Sequence, residues 1–87
     1  MVDRQTVLKI ITAIVNLVTG KHFTQEEMIS SKQPLYHIIS DSSKAIQFVV
    51  LIEEEFEIEL DDDEIDLYFF SNIDHIINTI IKHITNS

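Results

Sequence analysis

Apolar residues recur at three- and four-residue intervals over much of this chain, the spacing that gathers side chains on one face of a helix. From about Asp3 to Thr19, Val7, Ile10, Ile11, Ile14, Leu17 and Val18 form such a stripe, with Leu8 and Val15 at its margins. Asp3 suits the start of this helix as a cap, and Gly20 followed by Lys21 suits its stop. Its dense β-branched content lowers intrinsic helix propensity, so packing has to hold it. From Lys21 to Ser40 the periodicity weakens. Thr24 followed by Glu27 fits a capping box and predicts a single turn over Thr24, Gln25, Glu26 and Glu27. Ser30, Ser31, Lys32, Gln33 and Pro34 read as loop, after which Leu35, Tyr36, Ile38 and Ile39 return to apolar character. A loop of this length in a compact domain is usually functional or tucked onto the core.

Helical spacing resumes from about Ser42 to Phe56, where Ala45, Phe48, Val49, Ile52 and Phe56 share a face. Glu57, Ile58, Glu59 and Leu60 alternate polar and apolar, but an isolated strand has no partner here. They are expected to form an extended connector that pins Ile58 and Leu60 to the core. Asp61 to Glu64 is an acidic cluster suited to a helix N-terminus, and Ile65 to Phe69 is expected to be a short third helix. Ser71 is expected to cap the last helix, with Asp74 at the capping-box position. That helix has an apolar face of Ile73, Ile76, Ile77, Ile80, Ile81 and Ile84. The pattern predicts an all-α fold of four helices, three long and one short, with a long first loop.

Composition narrows the picture. Eighty-seven residues, 45% of them hydrophobic, make one small domain that can build a core without staples. One Gly and one Pro disfavour an all-β domain built from tight turns. A formal charge of −9 argues against nucleic acid as a partner and fits electrostatic steering toward basic surfaces. It also favours a monomer. With no cysteine there is no disulfide and no thiolate, so any thiol chemistry has to come from an added group. No apolar run reaches membrane-spanning length, and Asp3 and Arg4 do not fit a signal peptide, so no membrane insertion and a cytoplasmic location are expected.

The candidate chemistry centres on Ser42. A serine that opens a helix directly after Asp41 presents its hydroxyl to solvent beside free backbone N–H groups, an arrangement that favours a phosphodiester. The simpler reading of an Asp-Ser pair is a helix cap. Ser40 and Ser43 are neighbouring hydroxyls that could be mistaken for the site. Asp61-Asp62-Asp63-Glu64 lacks the central Gly and ligand alternation of a calcium loop, and reads as solvated charge at a helix start. His75 and His83 stand too far apart on one helix to share a metal, while His22 and His37 fall in the loop, so all four read as surface histidines. No Ser-His-Asp set and no Gly-rich phosphate loop emerges, and no enzyme is expected.

Asp41-Ser42 followed by Glu53-Glu54-x-Phe56 resembles the prosthetic-group region of the acyl carrier proteins, whose pattern is Gly-x-Asp-Ser-Leu and then, along the same helix, Glu-Glu and a nearby Phe. The helix order extends the likeness over almost the whole chain, and Leu35 and Ile38 match the family's loop anchors in spacing. The sequence departs at Ile39, where the family has Gly, and at Ser43, where it has Leu. The resemblance implies a bundle of acyl-carrier-protein type in which Ser42 bears 4'-phosphopantetheine taken from coenzyme A, and Asp41 contacts the transferase that attaches it. The thiol of that group then holds acyl, aminoacyl or peptidyl groups as thioesters. Partner enzymes with basic patches are expected to dock on the acidic second helix. Asp41, Glu53 and Glu54 keep that face, Lys44 and Gln47 dilute it, and Val50 takes the place of an exposed apolar contact, although as a plain helix residue it reads equally as core. An acyl pocket is expected among Phe48, Ile52, Ile65, Phe69 and Ile77. The alternative is a carrier-fold interaction module that is not modified and binds partners through the same helix.

Overall fold

The computed structural model describes residues 3–85, and its regular structure is entirely helical. The order is α1 (Arg4–Thr19), α2 (Gln25–Ser30), α3 (Gln33–Ile39), α4 (Ser42–Phe56), a 3₁₀ turn (Asp62–Glu64) and α5 (Ile73–Thr85). No helix among the described residues is long and apolar enough to cross a membrane.

The long helices begin and end where local chemistry dictates. The Asp3 side chain accepts the Thr6 N–H at 2.7 Å, and Gly20 closes α1 at φ 73°, donating its N–H to Asn16 O at 2.9 Å. A left-handed residue is a common way to satisfy the last carbonyls of a helix, and glycine adopts it without a Cβ clash. Helix α4 ends the same way at Glu57, φ 54°, without glycine's freedom. Thr24 and Glu27 exchange both bonds of a capping box at the head of α2.

One contiguous core joins all five helices. Val7, Ile11 and Val15 of α1, Met28 of α2, Ile38 of α3, Phe48 and Ile52 of α4, and Ile76 and Ile80 of α5 are essentially excluded from solvent. Helix α4 packs on α1 and α3, and α1 also contacts α5. At the heads of α1 and α5, Arg4 pairs with Asp74 at 2.9 Å and also donates to the Asn78 side chain. The connector after α4 behaves as its alternation implied, with Leu60 buried and Ile58 half-buried against the core.

Several expectations are corrected. Leu17 lies outside the buried stripe of α1 and is 73% exposed, whereas the marginal Leu8 and Val15 are core. A periodic stripe wider than the contact surface leaves its edge to tertiary packing. The first connection is not a long loop: Ser30 closes α2, and Gln33 and Pro34 open α3, giving five α-helices among the described residues rather than four. Pro34 is tolerated there because a first-turn N–H has no helical partner to lose. The expected third helix over Ile65–Phe69 is a run of bends and turns, and the 3₁₀ turn lies earlier, in the acidic cluster itself. Asn72 rather than Ser71 caps α5, its Oδ1 accepting the His75 N–H at 3.1 Å. Ser71 instead donates to Tyr68 O at 2.6 Å.

Candidate functional site

Ser42 is the first residue of α4 and is exposed. Asp41 caps the helix, its Oδ1 accepting the Ser43 N–H at 2.9 Å while its backbone carbonyl accepts from Ala45 N. The carboxylate is thus turned onto the backbone and also lies 3.9 Å from Lys44 Nζ. The Ser42 hydroxyl makes no hydrogen bond to any described residue. Ser40 differs, its Oγ leaning on His37 O at 3.4 Å. Ser43 is exposed one position further on.

Beside Ser42 opens a cleft of about 340 Å³ lined by Ala45, Ile46, Val49 and Val50 of α4 and by Ile65 and Phe70 of the segment that follows the 3₁₀ turn. Its walls are apolar except at Ser42 itself. Phe70 anchors the far wall, edge-on to Phe69 at 5.1 Å between ring centroids and tilted against Phe48 at 6.0 Å. This is not the pocket the sequence suggested. Phe48, Ile52, Phe69 and Ile77 are buried in the core, and of that set Ile65 alone lines the cleft. Phe70, which no periodicity marked, takes their place.

Glu64 fastens this wall to the bundle. Its carboxylate accepts the Asp61 N–H at 3.0 Å, lies 2.8 Å from His83 Nε2 and approaches Lys82 Nζ at 3.9 Å, both on α5. The Asp61 N–H holds the Glu64 carboxyl below the usual carboxylate range, with His83 and Lys82 adding to that pull against the opposing effect of burial. A carboxyl whose pKa is lowered by folding contributes stability above its unfolded value and loses it in acid. The urea midpoint of the protein should therefore exceed that of a Glu64→Gln variant at pH 6, and the gap should close as the pH falls below 4.5, the ordinary value for the group. A gap that widens in acid would contradict this role.

The proposed docking residues divide. Lys44 is half-buried and turned toward Asp41, and Glu53 is half-buried with its Oε2 accepting the Leu60 N–H at 2.8 Å, so both serve the chain itself. Gln47, Val50 and Glu54 are exposed, which removes the reading of Val50 as core.

His22 is exposed in the connection after α1, as expected, but the other three histidines are not plain surface residues. His37 lies on α3 against the Phe23 and Tyr36 rings, His75 stacks on Tyr68 at 3.9 Å, and His83 meets Glu64. Ser71 Oγ and His75 Nδ1 lie 2.9 Å apart, and both also contact the Tyr68 carbonyl, at 2.6 and 3.0 Å. An Nδ1 that donates to a carbonyl has no lone pair left for a serine proton, so this cluster closes a turn rather than activating a nucleophile. No group of three or more His, Asp or Glu side chains suited to a metal occurs among the described residues. Set against protein-family models, curated proteins and solved structures, the chain finds no match in any of the three.

Proposed function

We propose that this chain is a carrier of the acyl-carrier-protein type and that Ser42 is its attachment point for 4'-phosphopantetheine. The observation that carries this reading is the exposed, unengaged Ser42 hydroxyl, placed directly after a capping Asp41 at the mouth of an apolar cleft. The residues present fit the group. The first-turn N–H groups of α4 favour a phosphodiester, and the cleft offers apolar cover to whatever the arm carries. Ile39, which replaces the family's Gly, ends α3 outside the positive-φ region, so a β-branched residue is unstrained there.

In the attachment step the Ser42 oxygen forms a bond to the phosphorus bearing the pantetheine arm of coenzyme A. The pyrophosphate bond breaks, adenosine bisphosphate leaves and the hydroxyl proton passes to the transferase. The arm held at Ser42 would supply a thiol, which this cysteine-free chain lacks, as the point at which acyl, aminoacyl or peptidyl groups could be carried. The chain itself performs no bond chemistry in this reading; separate enzymes load and process the cargo.

Ser43 favours a second reading. Where the family has Leu, the first turn of α4 shows only a hydroxyl, and burying one apolar side chain is worth about 1.5–3 kcal/mol to a contact. An unmodified interaction module of the same fold would tolerate that loss. Intact-mass spectrometry after incubation with coenzyme A and a broad-specificity phosphopantetheinyl transferase separates the two. One phosphopantetheinyl mass is expected on the protein and none on Ser42→Ala. A folded wild-type chain that gains no mass, or a Ser42→Ala chain that still gains it, would overturn the assignment.

A further inference from the structure

Lys32, which precedes α3 with right-handed helical backbone angles, and Leu35, Tyr36 and Ile39 within it are spaced three, four and seven residues on. That spacing is one helical face, with a cation at its head and apolar groups behind it. Leu67 and Phe70, from the turns before α5, complete a depression of about 350 Å³ over this face, a size that suits a small ligand. Tyr36, Ile39 and Leu67 are 60%, 40% and 80% exposed, so three large apolar side chains converge on one opening. Single exposed aliphatics are ordinary on a protein surface, but several that converge mark a contact site. We propose that this depression binds a free small molecule with one anionic head and an apolar body, of the medium-chain carboxylate class. Its head sits at Lys32 and its tail runs along Leu35, Tyr36 and Ile39.

Charge selects the ligand. The lining holds one cation and no carboxylate, in a chain of formal charge −9. The Lys32 ammonium has no hydrogen-bond or ion-pair partner among the described residues, unlike Lys44 and Lys82, which pair with Asp41 and Glu64. The carboxylates that flank these segments are engaged on backbone N–H groups: Glu27 on Thr24, Asp41 on Ser43 and Asp66 on Phe69. Ser71, also at the depression, spends its proton on Tyr68 O, which leaves Lys32 and the Tyr36 hydroxyl as donors for a head group. A carboxylate gains a charge-assisted bond at Lys32 while its tail leaves water. Ile39 lies about 10 Å along the helix axis from Lys32, the reach of a medium-chain tail. The cleft beside Ser42 offers apolar walls but no cation, and the Phe70 ring separates the two. A second copy of the chain, or an anionic lipid surface, is repelled by the charge of −9. The site makes no use of the Ser42 hydroxyl and holds whether or not the chain is a carrier.

The test is a titration of isotope-labelled protein with octanoate, octanol and octylammonium, which share one tail, followed by amide chemical shifts at neutral pH. Octanoate should shift the amides of Lys32, Tyr36, Ile39 and Leu67 saturably at millimolar concentration. Octanol should bind about tenfold more weakly, the loss of one charge-assisted bond, and octylammonium more weakly still. Lys32→Gln should weaken octanoate binding by the same factor and remove its preference over octanol, whereas Leu67→Ala should weaken both. Both side chains are exposed, so neither variant should lose its fold. Lys21→Gln, exposed elsewhere, and Ser42→Ala should leave binding unchanged. The proposal is overturned if the three probes bind alike, if Lys32→Gln binds octanoate as wild type does, or if no saturable shift appears at millimolar octanoate. It is overturned equally if shifts centre on Ile46 and Val50 in the Ser42 cleft, or if binding appears only with octanoate micelles or lipid vesicles.

Discussion

Replacing Phe48 with Ala should remove about 3–5 kcal/mol of stability, the usual cost of truncating a fully buried phenylalanine. Phe48 is the largest of the fully buried side chains and makes ring contact with Phe70 in the segment after α4. Phe48 is fully excluded from solvent, so the loss combines transfer free energy with the cost of a cavity. Domains of this size hold a net stability of only about 0.05–0.15 kcal/mol per residue, so the variant should sit near its unfolding midpoint at room temperature. Thermal melts followed by far-UV circular dichroism should fall by at least about 12 °C, at roughly 4–8 °C per kcal/mol. Phe48→Leu keeps most of the volume and should lose far less. A Phe48→Ala melt within a few degrees of wild type would mean that the core recloses around the gap.

Phe70→Ala should have the second-largest effect and should change the site as well as the fold. Phe70 is buried, and it lines both the Ser42 cleft and a second depression of about 350 Å³ bounded by Lys32, Leu35, Tyr36, Ile39, Leu67 and Ser71. Its ring is the partition between them. Truncation should cost about 3 kcal/mol and join the two depressions into one apolar channel. Two readouts distinguish this from simple unfolding. Far-UV circular dichroism at low temperature should stay helical, because Phe70 lies outside the helices. Binding of a fluorescent apolar dye should rise over wild type under the same conditions and be reversed by Phe70→Leu. A variant that is destabilised without gaining dye binding would show that the wall collapses inward instead of opening.

These two residues also show where local pattern stops being informative. Phe48 could be placed in the core from its spacing with Ala45, Val49 and Ile52 alone, because a helix imposes its period on whatever it buries. Phe70 could not. It lies in a stretch of turns, where no period relates neighbouring side chains. Its burial follows from Leu60 and Glu64 tying the preceding segment down, through the Glu53 bond to the Leu60 N–H and the α5 contacts of Glu64. Glu53 itself was legible only as part of an acidic helix end, since its partner lies beyond the helix. The same holds for Asn16, which grips Phe23 through both its N–H, at 2.8 Å, and its carbonyl, at 2.9 Å, and for His83, whose partner is nineteen positions away.

By itself the sequence determined the extents of α1 and α4, the caps at Asp3, Thr24 and Asp41, the stop at Gly20, most of the apolar faces that meet in the core, and the exposure of Ser42 at a helix start. These depend on contacts within one turn of helix, and local side-chain chemistry settles such contacts. The tertiary structure alone decided that residues 33–39 are helical, that residues 65–69 are not, that Leu17 is left in solvent while Leu8 is covered, and that the cleft beside Ser42 is walled by Phe70. Each of those outcomes turns on which of several comparable apolar surfaces finds a neighbour. A chain with more apolar faces than its core can hold resolves that choice only when the helices meet.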